Sequence, residues 1–305
     1  MQQGYFMRAW RALVASDAWF GRICLLALVS LIPVFGQIVV GGYLLGWARD
    51  AAWGMDNPLP RRIFGNEDKR LYRRGFFALV IKLTVGIAVC VGVFLCMSLL
   101  GLAAGVFSAL LGGLYATGFA VFPALIGSFG IMAAGIVLTF AAQFFVWVGL
   151  MRMSIYDTLG SGFQFGHIWA MIRRDFVGLL KIFFYELVAS LCIGVAMSIV
   201  WFVVLFVGMI VLMGFAGLAD FSGISAYGLE GVAILGLMAA LLFAVFVAYA
   251  TVACAIGMQA LIYRSLGYWT AGFDVASWGS QDDPLPSTSF VPYEGGDGRG
   301  EAYRG

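Results

Sequence analysis

The sequence predicts an all-α integral membrane protein. Hydrophobic residues make up 62% of the 305 residues and charged residues only 11%, whereas roughly 25% of the residues in an ordinary soluble domain are charged. So few charges cannot keep the exterior of a soluble fold of this size hydrated. Charge-free stretches are also long enough to cross the bilayer, which requires about 20 apolar residues. Composition and stretch length together predict several transmembrane helices.

The transmembrane spans follow from the charge-free stretches and from the arginines between them. Loops rich in Lys and Arg stay in the cytoplasm, so residues 83–151 form two spans joined outside, because three would place Arg152 outside. The charge-free stretches are 23–48, 83–151, 187–219 and 231–263. The predicted spans are about 76–100, 126–151, 176–213 and 231–263. The third exceeds the membrane thickness, so we expect it to be tilted or broken near Gly208 to Gly217.

The first stretch has arginines on both sides, which does not suit a full crossing. Pro33 and Gly36 stand near its middle, and proline breaks a helix while glycine tolerates a sharp turn. We therefore predict a re-entrant hairpin over residues 23–48, packed against protein because non-helical backbone at membrane depth must be covered. The alternative is one kinked span, which gives five spans and an amino terminus outside.

The protein is predicted to lie in the cell membrane, with both ends of the chain in the cytoplasm. Residues 1–22 place aromatic side chains loosely on one helical side and charges elsewhere, which favours an interfacial amphipathic helix. The membrane domain then covers residues 23–267. Residues 268–305 are predicted to be a flexible cytoplasmic tail, since their second part is rich in Pro, Gly, Ser and acidic residues.

An internal repeat is suggested by two similar segments. Arg73 and Arg74 before Phe76, and Arg173 and Arg174 before Phe176, are one hundred residues apart, and each pair opens a span. Both follow a segment predicted to be a cytoplasmic amphipathic helix, so the repeat would be a two-fold parallel one. The positive-inside rule explains the paired arginines equally well without a repeat.

Charged and polar residues inside apolar spans are candidates for function, because they are costly there. Lys82 and Glu186 lie about 12 and 18 Å along their helices from the arginine pairs, so they could pair across helices and hold a charged substrate or a proton. A snorkelling lysine and a structural ion pair are the alternatives. The uncharged candidates are Gln37, Gln143 and Gln259, which could line a path or simply bond between helices.

The sequence predicts neither an enzyme nor a metal or cofactor site. It contains no nucleophile elbow, phosphate loop or zinc-protease motif. The polar residues Asp157, His167 and Asp175 do not define a reaction. The five cysteines all stand in apolar runs, which suits packing. The sequence has no basic tail, so it does not predict a nucleic-acid partner.

Several short motifs resemble a family of prokaryotic membrane proteins called domain of unknown function 4013. They are Pro33 to Gly36, Gly41 to Tyr43, Arg49, Gly54, Pro58 to Pro60, Arg74 to Gly75, and the segment from Arg152 to Arg173 that includes Tyr156, Phe163, Phe165 and Ile168. The resemblance covers about Ala12 to Gly267. It departs near Arg61 to Lys69, where the family's usual tryptophan and acidic residues are missing. It implies a multi-pass membrane topology and no known activity, cofactor or catalytic residue.

Two functions are compatible with these features. The first is transport, or support of transport, of a small solute or lipid. The second is a scaffold that recruits a protein partner through the cytoplasmic helices or the tail. The lipid bilayer is the expected partner in both, and the sequence predicts no oligomeric state.

Overall fold

The computed structural model describes residues 4–64, 70–110, 121–221 and 226–275. Within these ranges the regular structure is entirely helical, which confirms the all-α prediction. The helices are α1 (Tyr5–Val14), α2 (Trp19–Ser30), α3 (Phe35–Ala52), α4 (Leu71–Leu110), α5 (Val121–Tyr156), α6 (Phe165–Arg174), α7 (Phe176–Phe221) and α8 (Ala226–Ala271), with a short 3-10 turn at Gly160–Phe163. Helices satisfy their own backbone hydrogen bonds, which is the condition for crossing hydrocarbon.

Four helices are long and apolar enough to cross a membrane. Their candidate spans are Leu71–Ala103, Met132–Tyr156, Phe176–Ile210 and Gly236–Ala271, which confirms the prediction of a multi-pass helical protein. In the described part of the chain, a fifth span arises only if α1 and α2 are counted together, and these two helices meet at 97°.

The buried core lies at one end of the long helices, which we call the base. It contains α1, α2, α3, α6, the first turns of α4 and α7, and the last turns of α5 and α8. Three tryptophans, Trp47, Trp147 and Trp269, are among its largest buried side chains. Almost all of the described arginines also belong to the base or border it, so the core and the charges share one end of the molecule.

Beyond the base, α4 packs with α5, and α7 packs with α8. Gly92 of α4 faces Leu138 of α5, and Gly135 of α5 faces Val93, so these two helices run antiparallel. Large apolar side chains on the four spans are exposed there, among them Phe94, Leu102, Phe202 and Leu242. Exposed apolar surface on this scale requires lipid or another apolar partner.

The α2 and α3 helices are separated by the break that the sequence predicts. Residues 31–34 form the turn, and Gly36 packs so closely on the backbone of Val29 that a Cβ atom would not fit. The turn carries an exposed apolar tip that consists of Leu31, Ile32, Val34 and Phe35. The insertion of this hairpin into a bilayer stays a prediction, which the apolar tip favours.

The α3 helix then runs antiparallel to α4 in close contact. Gly42 lies against the backbone of Leu71, and Gly75 lies against the backbone of Ile38. Contacts this close are possible only without a Cβ atom, which explains why glycine stands at both positions. The crossing fixes the hairpin to the first turns of α4.

The α1 helix covers only Tyr5–Val14 of the predicted residues 1–22, and α2 already begins at Trp19. Ala9 and Leu13 are buried against the base, whereas Met7, Trp10 and Val14 are exposed. The 97° bend between α1 and α2 places α1 across the direction of α2. Such a helix fits the plane of a membrane interface if α2 follows the membrane normal.

The described structure corrects two predicted boundaries. The α7 helix continues without a break through Gly208 to Gly217, so of the two alternatives for this long span the break is wrong and the tilt stays a prediction. The tail does not begin at residue 268, because α8 continues to Ala271 and residues 268–275 pack into the base through buried Tyr268 and Trp269. The helices also extend into the predicted connection, to Leu110 and from Val121, and residues 111–120 lie outside the described ranges.

The two halves of the predicted repeat differ in local structure. Arg73 and Arg74 lie inside the first turn of α4, whereas Arg173 and Arg174 end α6. Asp175 then separates α6 from α7, and its Oδ1 accepts a hydrogen bond from the backbone N–H of Gly178 at 2.9 Å. The described residues before the first pair, 53–64, form a loop where the second copy has helix α6. The repeat therefore stays a prediction.

Candidate functional site

The loop of residues 53–64, which we call the Pro58 loop, is held against the base by side chains from α2, α3 and the α1–α2 turn. Ser16 Oγ accepts a hydrogen bond from the backbone N–H of Leu59 at 2.8 Å, and Arg22 donates to the Leu59 carbonyl at 2.5 Å. Tyr43 donates its hydroxyl to the Pro60 carbonyl at 2.6 Å. The carbonyls of Leu59 and Pro60 are thus bonded by side chains from outside the loop.

Arg264 of α8 binds the same loop from the other side. Its side chain is fully buried and donates to the carbonyls of Trp47 at 2.5 Å, Met55 at 3.1 Å and Asn57 at 3.3 Å. The guanidinium also lies over the ring of Trp47, 4.7 Å from its centroid. Asp56 lies 3.8 Å away and is half exposed. A planar group with five donors suits this position better than lysine does.

Asp157 is the centre of an arginine cluster, which we define as Arg49, Arg70, Arg73 and Arg74 around Asp157. Its Oδ2 lies 2.7 Å from Arg70 and 3.5 Å from Arg49, and its Oδ1 lies 3.2 Å from Arg74. Arg73 donates to the backbone carbonyl of the same residue. Asp157 has φ of +53°, a conformation that aspartate tolerates better than most residues, and it follows directly after α5.

Burial divides this cluster into an inner and an outer part. The side chains of Asp157 and Arg74 are only 2% exposed, whereas Arg70 is 51% exposed. Arg73 is exposed as well. A buried carboxylate is stable only when it is paired and hydrogen-bonded, and here one carboxylate fixes the ends of α3, α4 and α5 together.

Asp50 is a second carboxylate near these arginines. Burial raises its pKa, while the hydrogen bond from Asn57 and the charges of Arg264, Arg49 and Arg74 lower it, and burial has the larger effect. The Asn57 amide lies 3.4 Å from Asp50 Oδ2. Asp50 thus links the arginine cluster to the Pro58 loop.

Lys82 and Glu186 are not brought together by the fold. The described residues include ion pairs of arginines with Asp17, Asp56 and Asp157, and none of these pairs links Lys82 to Glu186. The reason is that α4 packs mainly with α3 and α5, whereas α7 packs mainly with α8.

Lys82 instead interacts with α8. Its ammonium lies 5.4 Å from the centroid of the Tyr263 ring, and the Tyr263 hydroxyl accepts a hydrogen bond from Gln259 at 3.0 Å. These three side chains form a short polar chain between α4 and α8. Glu186 is half-buried on α7.

The remaining predicted residues occupy separate places. Gln37 is exposed near the tip of the α2–α3 hairpin, and Gln143 is half-buried on α5. Arg173 is exposed at the end of α6, away from the arginine cluster. No group of three His, Cys, Asp or Glu side chains that could hold a metal ion occurs in the ranges that the structure describes.

Sequence reasoning missed the central role of Asp157 and the burial of Arg152 and Arg264. Arg152 is 1% exposed and donates to Gln164 at 2.7 Å. Both arginines end apolar stretches, so the positive-inside rule assigns them to the wet interface. The available signal was Asp157 itself, a lone acidic residue between basic segments, which needs positive partners if it is buried.

Comparison with family models gives one result that bears on this site. The model described as "Protein of unknown function (DUF4013)" matches residues 25–202. This range includes most of the hairpin, the Pro58 loop, the arginine cluster and α6, and it is shorter at both ends than the resemblance seen in the sequence. Neither the curated proteins nor the solved structures contain a match to the chain. Because the match covers more than half of the residues, the chain belongs to this family of proteins of unknown function, DUF4013.

Proposed function

We propose that this chain is a non-enzymatic membrane protein that moves a lipid or a small solute, or supports such movement. The observation that carries the proposal is the presence of polar side chains on spans that are otherwise apolar. Lys82, Tyr263 and Gln259 connect α4 to α8, and Glu186 is half-buried on the neighbouring α7. Ionisable groups at such positions are costly, and a substrate pathway is a common reason for them.

The exposed surfaces of the spans favour a lipid over a small solute. In the most apolar 18-residue stretch of each span, only 0% of the residues are buried for α4, 33% for α5, 6% for α7 and 11% for α8. A solute needs an enclosed polar path, whereas a lipid headgroup can follow polar side chains along an open helix surface while its acyl chains stay in the bilayer. Lys82 is half-buried on α4, next to buried Ile81 and close to this exposed surface.

The test measures the exchange of a fluorescent phospholipid between the two leaflets of liposomes that contain the full chain. Wild-type protein should accelerate loss of fluorescence after an impermeant quencher is added, relative to protein-free liposomes. Lys82→Met and Glu186→Gln keep the side-chain size and remove the charge, so both should slow the exchange. Ser198→Ala is the matched control, because Ser198 is exposed on α7 and bonds only its own helix at the Gly194 carbonyl.

Two outcomes would contradict this function. If lipid exchanged no faster in liposomes with wild-type protein than in protein-free liposomes, lipid movement by the chain alone would be ruled out. Equal slowing by Ser198→Ala and Glu186→Gln would show that the polar residues have no special role.

The proposal includes a topology with the base on the cytoplasmic side of the cell membrane. Arg49, Arg73 and Arg74 lie at the base, and loops rich in arginine stay inside. Arg8 stacks on the ring of Tyr268 at 4.6 Å, so α1 and the end of α8 lie on the same side. A tag at the amino terminus should be accessible only from the cytoplasm, and access from outside would support the alternative with five spans.

A second candidate function is recruitment of a protein partner. Phe165 and Trp169 are exposed on α6 although the opposite face of this helix is buried through Ile168 and Met171. Cross-linking followed by purification should then retain a partner in stoichiometric amount, and Trp169→Ala should lose it. Loss of the same partner with Phe94→Ala, a change in the middle of α4, would argue against a specific surface.

A further inference from the structure

The polar chain of Lys82, Tyr263 and Gln259 presents hydrogen-bond donors that the described residues do not use. The Lys82 ammonium lies 5.4 Å from the centroid of the Tyr263 ring, and in the described part of the chain no carboxylate pairs with it. The Tyr263 hydroxyl accepts its hydrogen bond from Gln259 at 3.0 Å, so its own proton remains for another acceptor. The polar chain therefore combines one positive charge with spare donors.

The space beyond the polar chain, away from the base, is open between α4 and α8. These helices are not main packing partners, because α4 packs chiefly with α3 and α5, and α8 with α7 and α3. Gly86 lies one turn beyond Lys82 on the same face of α4, and a Cβ atom added there meets nothing within 4 Å. Ala255 lies one turn beyond Gln259 on α8 and is exposed. Small residues on both helices thus leave room next to the donors.

The polar chain lies where the base ends and the apolar spans begin. Ile81, directly before Lys82, is buried and lies close to Gly162 of the 3-10 turn. Leu83 and Ile87, on the following turns of α4, are large apolar residues and are exposed. A water-soluble anion gains nothing from this surface, whereas the acyl chains of a lipid cover it.

An ammonium and a hydroxyl beside apolar surface match an amphiphile with an anionic oxygen head. Hydrogen bonds from a charged donor to phosphate or carboxylate oxygens are about twice as strong as those between neutral groups. We propose that Lys82 and Tyr263 bind the anionic head of a membrane lipid, with its acyl chains passing Gly86 and Ala255 toward the exposed faces of the spans. Gln259 orients the Tyr263 hydroxyl through its hydrogen bond. Anionic lipids thus become the substrate class of the proposed function, on which this inference rests.

The experiment counts the lipids bound to the full chain in nanodiscs of phosphatidylcholine with a fraction of phosphatidylglycerol. Native mass spectrometry after transfer to mild detergent gives the lipids that stay bound. Wild-type protein should retain phosphatidylglycerol in preference to phosphatidylcholine, and equal retention of the two would overturn the proposal. Lys82→Met should lower the preference about tenfold or more, because a charged hydrogen bond is lost. Tyr263→Phe, which loses a neutral one, should lower it about threefold.

The matched control is Lys181→Met, which removes the same charge from an exposed lysine near the start of α7. It should leave the preference within about twofold, because exposed charges are screened by salt. Equal losses in Lys82→Met and Lys181→Met would show diffuse attraction and overturn the site. An unchanged preference in Lys82→Met would overturn it as well.

The open space is tested separately from the charge. Gly86→Leu fills this space with a good helix former and should lower the retained phosphatidylglycerol about threefold or more. Gly101→Leu is the control, because it lies further along α4 and an added Cβ there also meets nothing within 4 Å. Equal retention in the two leucine variants would overturn the proposed position of the lipid.

Two further arms identify the source of the anion and separate the site from the proposed function. Displacement of phosphatidylglycerol by millimolar inorganic phosphate would overturn the lipid assignment in favour of a soluble anion, whereas resistance to phosphate supports it. Because the experiment counts binding and not movement, phosphatidylglycerol retained by a chain that moves no lipid in liposomes supports the site and contradicts only the proposed function.

Discussion

Gly42 of α3 and Gly75 of α4 pack backbone against backbone, and a Cβ atom on either residue would collide with the main chain of the other helix. This contact joins the α2–α3 hairpin to the first transmembrane span. We expect Gly75→Ala to destabilise the protein by about 1 to 3 kcal/mol, since the helices must separate.

The control for this change is Gly86→Ala on the same helix, where an added Cβ meets nothing within 4 Å. It should be neutral or slightly stabilising, because alanine is the better helix former. Thermal unfolding in detergent, followed by circular dichroism, measures both variants. If Gly86→Ala lost as much stability as Gly75→Ala, the close crossing would not be the cause.

Asp157→Asn tests the carboxylate at the centre of the arginine cluster. Asparagine has the same shape and tolerates the positive φ, so the substitution removes charge with little change of geometry. Four arginines would then face one another without their main counter-ion, and we expect a loss of about 3 kcal/mol or more. Asp17→Asn breaks the exposed pair with Arg61 and should cost less than about 1 kcal/mol. Similar losses in both variants would contradict a special role of Asp157.

Arg264→Lys should loosen the Pro58 loop. Lysine cannot reproduce the bonds to the carbonyls of Trp47, Met55 and Asn57, and a loss of about 2 kcal/mol or more is expected. Trypsin should then cut after Arg61 or Arg62 faster than in wild type. Arg173→Lys, a change on the exposed end of α6, should leave this cleavage rate unchanged. An unchanged rate in Arg264→Lys would contradict the clamp, by which we mean the hold of Arg264 on the three carbonyls.

Asp50 predicts a pH dependence of stability. Burial raises its folded pKa above the ordinary value of 3.8, so the folded state holds the proton more tightly than the unfolded state. Its contribution to stability is therefore complete below about pH 3.8 and is lost as the pH rises through the folded pKa. Asp50→Asn stays neutral, so its melting temperature relative to wild type should rise between pH 4 and pH 8. A difference that falls over this range would show that the arginines outweigh burial.

The sequence is a good guide to the long spans but not to the base. The spans follow from charge-free length, a property that lipid imposes on each helix separately. The break near Pro33 is local as well, because proline acts on its own turn. The correct prediction of helices at these places needed no knowledge of distant contacts.

The base depends on contacts between residues far apart in the chain. Asp157 meets Arg70 and Arg74 only because α5 returns beside α4. Arg264 is buried because the ring of Tyr268 and carbonyls of the Pro58 loop surround it. Its position directly after an apolar stretch instead predicts an exposed residue at the membrane interface. The same lack of long-range information explains why the sequence allows a pair of Lys82 and Glu186 that the fold does not form.

The clamp formed by Arg264 also has a consequence for biosynthesis. The Pro58 loop is made early, yet the side chain that holds three carbonyls around it is added only when the last span has been translated. Until then the first helices carry acceptors without their donor, and a ribosome-bound or truncated chain that stops before Tyr263 should be open to proteases at this point. The end of α8 must therefore be translated before the Pro58 loop is fully held against the base.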